Sequence, residues 1–90
     1  MSKLIKLRNK IDSIDSEIIT LLNKRAKNAL KIGRVKKMES KNIKDGSRES
    51  SLKQNIILQN EGPIDNNSIV KIYDTIIESM IDLQENESQI

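Results

Sequence analysis

The chain reads as an all-α protein: a three-helix protomer with a long first helix, paired with a second copy as a homodimer. Two observations carry the helices and a third carries the pairing. Aliphatic residues recur in steps of three and four over three separate stretches, the spacing that keeps side chains on one helix face. Asp45-Gly46 and Asn60-Glu61-Gly62-Pro63 interrupt that pattern with residues that turn chains. The first stretch is also too long for the rest of a 90-residue chain to cover.

The first helix is expected from about Leu4 to about Glu39. Its seam runs Leu4, Leu7, Ile11, Ile14, Ile18 and Leu21/Leu22, then Arg25, Ala29, Ile32 and Lys36. Gly33 is the only weak helix former on that face, and Ser13, Ser16 and Thr20 lie away from it. The second helix opens near Ser47, after the Asp45-Gly46 turn signal, and continues through Leu52, Ile56 and Leu58 to the Gly62-Pro63 stop. Asp65-Asn66-Asn67-Ser68 supplies capping residues for the third, which carries Ile69, Ile72, Tyr73, Ile76, Ile77, Met80 and Leu83. Residues 1–90 form one domain, and the polar tail 86–90 is expected to fray.

Helix length argues for assembly. At 1.5 Å per residue the first helix is roughly 54 Å long, whereas a compact chain of this size has a radius of gyration of only about 12 Å. Two shorter helices cannot cover such a rod, so the first helices of two copies are expected to pair.

Composition narrows the chemistry. The chain has no Cys and no His, so disulfides, thiol chemistry, the usual zinc ligands and the usual neutral-pH proton shuttle are all lacking. No metal and no cofactor is expected. No apolar run approaches about twenty residues, and Met1-Ser2-Lys3-Leu4 leads straight into the helical pattern without a signal-peptide core. The reading is a cytoplasmic protein without a membrane partner. Residues 1–45 hold 13 Lys/Arg against 5 Asp/Glu, a balance of +8; residues 46–90 hold 3 against 8, a balance of −5. The halves therefore attract, within a chain or between chains. Tyr73 is the only aromatic, so there are no stacking platforms for single-stranded nucleic acid, and no nucleic-acid partner is expected.

The most informative positions are Arg25 and Lys36, two cations on a seam that otherwise holds aliphatic residues. A cation there loses hydration and needs a negative partner. Leu21 to Lys37 contains no Asp or Glu, so the partner comes from elsewhere in the fold, from another chain or from a ligand. The two lie eleven residues apart, with Cα atoms about 16–17 Å apart on one face, which leaves room for one small anion between their tips. Arg8 lies seventeen residues before Arg25, roughly 25 Å along the axis, and cannot share that anion within one straight helix. If Arg8 serves a site, it serves the partner chain's. The bland alternative is an ordinary surface ion-pair network.

Leu7-Arg8-Asn9-Lys10-Ile11-Asp12, Leu21-Leu22-Asn23-Lys24-Arg25 and Ile32-Gly33-Arg34-Val35-Lys36, followed by Ser47-Arg48-Glu49 and Leu83-Gln84, stand in a characteristic order. In that order the chain resembles the all-helical, AroQ-type chorismate mutases over residues 4–85. The resemblance implies an intertwined dimer of three-helix protomers with two active sites, working in aromatic amino-acid biosynthesis on the shikimate pathway. It implies that the partner's Arg8 and Arg25 pair with the two carboxylates of chorismate, supported by Arg48. Lys36 and Gln84 would face the ether oxygen of the breaking bond, Glu49 would accept from the ring hydroxyl, and Asp45 would line the same wall. Met80 departs from the pattern, since many relatives carry Ser or another small residue four before Gln84; Ser79 stands one place earlier.

Conversion of chorismate to prephenate is a pericyclic [3,3] rearrangement that needs no nucleophile, metal or proton transfer, so the missing His and Cys are no obstacle. Family members occur alone or joined to a prephenate-processing domain. Two other functions fit the pattern less well: an isochorismate pyruvate-lyase of the same fold, and a non-catalytic helical dimerisation or regulatory module.

Overall fold

The computed structural model describes residues 2–88. It has three helices and, among the described residues, no strand: α1 (Lys3–Met38), α2 (Gly46–Gln59) and α3 (Asn66–Ser88). Each expected helix is present, and the boundaries differ for local reasons. Ser2 opens α1, its Oγ accepting from the Ile5 N–H at 3.2 Å. α1 ends without a glycine. Ser40 takes a left-handed φ of 57°, the Lys41 N–H donates to the Lys36 carbonyl and the Ser40 N–H to the Lys37 carbonyl. That paired arrangement satisfies carbonyls the last turn leaves open.

α2 begins one residue earlier than the turn signal suggested. Asp45 is its N-cap rather than part of a free turn, with Oδ1 accepting from the Arg48 N–H at 3.0 Å, and Gly46 is already helical. After α2, Asn60 ties the connection together: its Nδ2 donates to the Ile64 carbonyl and to Asn66 Oδ1, and its Oδ1 accepts from the Gly62 N–H. Gly62 has φ of 77°, a conformation that favours glycine, and the Gly62-Pro63 bond is cis. Asp65 caps α3, its Oδ1 accepting from the Ser68 N–H at 2.7 Å. That bond holds the Asp65 carboxyl below the usual carboxylate range.

The tail expected to fray from residue 86 is helical through Ser88; residues 89 and 90 lie outside the described range. Glu87 supplies the reason, since it pairs with Arg34 of α1 at 2.7 Å and so fastens the last turn of α3. Among the described residues, this is the ion pair that joins the basic half of the sequence to the acidic half.

α3 packs against both α1 and α2. The core is thin: Ala29, Ile56 and Ile77 are buried, and among the described residues no large side chain is fully enclosed. The protomer measures 56 × 29 × 14 Å with a radius of gyration of 16.5 Å, well above the ~12 Å of a compact chain this long. The seam residues Leu4, Leu7, Ile11, Ile14, Ile18 and Leu21 are all 47–61% exposed. No helix of the described residues is long and apolar enough to cross a membrane.

Candidate active site

The C-terminal part of α1, the connection after it, the start of α2 and the end of α3 surround one cavity of about 290 Å³. Arg25 and Lys36 reach it from α1, Asp45 from the connection, Arg48 and Glu49 from α2, and Met80 and Gln84 from α3. These seven candidates, spread over sixty residues of sequence, therefore come together. Arg8 does not line this cavity; it is exposed near the far end of α1.

The three cations share a property. Among the described residues, Arg25, Lys36 and Arg48 take part in no ion pair, although each lines the cavity. Arg25 and Lys36 are half-buried. Among the described residues no ion-pair partner is supplied to them, and another chain or a ligand would fill that role. Lys36 is held in place by its Nζ donating to the Ile43 carbonyl at 2.6 Å. An ammonium has three hydrogens, so that anchor leaves two for a ligand.

Glu49 brings the opposite charge to the same space. Its Oε2 is buried and accepts no hydrogen bond among the described residues. A buried carboxylate oxygen without a donor is costly and points to a donor that arrives with something else. Gln84 is 8% exposed, and its Nε2 donates to the Ala29 carbonyl at 2.6 Å. Asp45 lines the wall while its Oδ1 caps α2, so it also sets the position of the first turn that carries Arg48 and Glu49.

Met80 lines the cavity and is half-buried. Ser79, the nearest hydroxyl in sequence, lines a different groove with Leu22, Asn23 and Thr75. One residue is about 100° of helix rotation, which turns Ser79 away. Sequence reasoning missed Asn28, which also lines the cavity and lies three residues after Arg25 on the same face. That i, i+3 spacing was the available signal. The Ile43 carbonyl was missed too, and as a backbone group it leaves no signature in side-chain types. Ile32, Leu52, Ile77 and Ile81 complete the wall with apolar surface.

A compact cavity lined by Arg25, Lys36 and Arg48 against Asp45 and Glu49, with apolar walls, suits a small organic anion that also carries a hydrogen-bond donor. Comparison with known proteins gives the family. Residues 7–85 match the family model described as chorismate mutase type II. The chain belongs to that family. Curated relatives include the bifunctional chorismate mutase/prephenate dehydratases of Aquifex aeolicus (strain VF5), 36% identical over 93% of this chain, and of Stutzerimonas stutzeri, 32% identical over 88%. The chain spans about a quarter of the length of these relatives, 24% and 23% respectively. Among solved structures, chorismate mutase (form II) from Thermus thermophilus superposes with a TM-score of 0.92 at 27% identity, covering 93% of this chain and 96% of that one. Chorismate mutase from Helicobacter pylori, solved in complex with prephenate, superposes with a TM-score of 0.88 at 27% identity, covering 96% of this chain and 93% of that one. Membership in the chorismate mutase type II family confirms the resemblance read from the sequence.

Proposed function

We propose that the chain is an isomerase that rearranges chorismate to prephenate, acting in the cytoplasm as an intertwined homodimer with two sites. The observation that carries this reading is the cavity in which Arg25, Lys36 and Arg48 stand without an ion-pair partner among the described residues, beside the buried, unpartnered Oε2 of Glu49. Family membership supports it, as does a similar fold that holds prephenate in Helicobacter pylori chorismate mutase.

The chemistry asks two things of the protein. A flexible dianion must be held in the compact conformer in which the carbon termini meet, which is an entropic task. Arg25 and the partner's Arg8 take the two carboxylates, and Arg48 supports one of them from α2; guanidinium groups do this better than ammonium because two parallel N–H donors match a carboxylate. As the C–O bond breaks and the new C–C bond forms, negative charge grows on the ether oxygen. Lys36, fixed by the Ile43 carbonyl, and Gln84, fixed by the Ala29 carbonyl, are anchored before that charge appears, and so act mainly on the transition state. Glu49 accepts from the ring hydroxyl. Asp45 and Met80 shape the wall. Gln84 donates without first taking up a proton, so activity should not require acid.

The seam from Leu4 to Leu21 stays about half exposed among the described residues, and a second copy covers it. That pairing is also what brings the partner's Arg8 to the site. The test is to incubate the protein with chorismate and, separately, with isochorismate. Prephenate from the first is expected. Pyruvate and salicylate from the second, with the first unchanged, would assign the cavity to a lyase. No turnover of either would assign it to a binding module.

A further inference from the structure

Gln84 reaches the cavity from α3, but what allows its approach lies on α1. A Cβ placed on residue 33 would stand 3.0 Å from Gln84 Cγ and 3.3 Å from Gln84 Cβ. Carbon atoms pack best at about 3.5–4.0 Å, so such a group would push the side chain away. The close atoms are at the root of the glutamine side chain. It cannot swing aside there without carrying its amide along.

The other end of the same side chain is held one turn earlier on α1, where the Ala29 carbonyl accepts from Nε2 at 2.6 Å. Residues 29 and 33 therefore grip one side chain at its two ends, the first by a carbonyl and the second by having no side chain. Backbone conformation does not explain the glycine. Among the described residues Gly62 is the glycine with positive φ, while Gly33 is buried inside a regular helix. A glycine in that setting costs about 1 kcal/mol relative to alanine. Space for Gln84 accounts for it.

We propose that Gly33 is a positioning residue: by lacking a Cβ it lets Gln84 lie close against α1, with its amide anchored on Ala29 at the depth where the ligand's breaking bond would sit. This rests on the reading of the cavity as an active site, and the test separates the two. Gly33→Ala is examined by NMR and by kinetics. In the NMR spectrum, the Gln84 side-chain amide pair, assigned by its disappearance in Gln84→Ala, is expected to move while the pairs of Gln54 and Gln59 stay in place. An unmoved Gln84 pair would overturn the proposal whether or not the protein turns over chorismate.

In the assay, kcat is expected to fall about tenfold, the scale of a sub-ångström misplacement, with KM changed less than about twofold. In the Gln84→Ala background the same substitution should leave kcat unchanged, because the group it displaces is gone. An equal fall in both backgrounds would mean a merely structural role and would overturn the proposal. Should Gly33→Ala fail to fold, the double variant, which lacks Cγ, is expected to fold; a double variant equally unfolded would also overturn it. Wild-type protein inactive on chorismate would sink the functional reading alone.

Discussion

The two halves of α1 obey one sequence rule and do different things. From Leu4 to Leu21 the seam is aliphatic and its residues Leu4, Leu7, Ile11, Ile14, Ile18 and Leu21 are 47–61% exposed. From Leu22 to Lys36 the same three-and-four spacing continues, but here α3 packs against the helix, Ala29 and Gly33 are buried, and Arg25 and Lys36 replace aliphatic residues. Periodicity says only that a face is covered. It does not say by what. The residue types along the face carry that information: an uninterrupted aliphatic seam fits another aliphatic seam, and a seam with two cations fits something negative.

If the halves differ in this way, they should fail differently when damaged. The largest effect is expected in the first half. Ile11→Asp places a charge on a seam that the proposed second copy would bury, where an unpaired carboxylate is costly. Sedimentation should show monomers at micromolar concentration, and activity should vanish with the dimer, since the partner's Arg8 leaves as well. A variant that stays dimeric would erase the distinction between the halves.

In the second half, Lys36→Ala should leave the dimer intact and lower kcat a hundredfold or more, on the scale of removing one preorganised transition-state donor. Stopped-assay turnover with a matched sedimentation run measures both. Near-normal kcat would remove Lys36 from the mechanism.

A smaller and more conditional effect is expected at the α3 face of the same cavity. Gln84→Glu sets a carboxyl against the Ala29 carbonyl in a buried place. Only the protonated form can donate there, and burial raises the carboxyl's pKa. Activity should therefore be retained at acid pH and lost as pH rises through that raised value, while the wild type stays level. A flat profile for Gln84→Glu would show that no hydrogen is needed at this position.

Much of this was legible in residue order. The three helices followed from spacing and from the breaks at Asp45-Gly46 and Gly62-Pro63, because those signals are local. Seven of the eight candidate residues line one cavity, because the family resemblance tied together positions that periodicity alone left apart. What stayed hidden depended on contacts between distant elements. The last turn of α3 holds because Glu87 meets Arg34, fifty-three residues away. The end of α1 is set by Ser40 in a left-handed conformation that glycine or asparagine usually signals. Gly33 was visible as an oddity, yet its meaning required the position of Gln84.

The central claim is that cations from two chains close around one small dianion, and mixing two inactive variants tests it most directly. Arg8→Ala and Arg25→Ala chains are each expected to be nearly inactive alone. Exchanged subunits form heterodimers in which one of the two sites keeps both arginines, so activity should recover to roughly a quarter of wild type at statistical mixing. No recovery, with heterodimers confirmed by native mass spectrometry, would contradict the shared site.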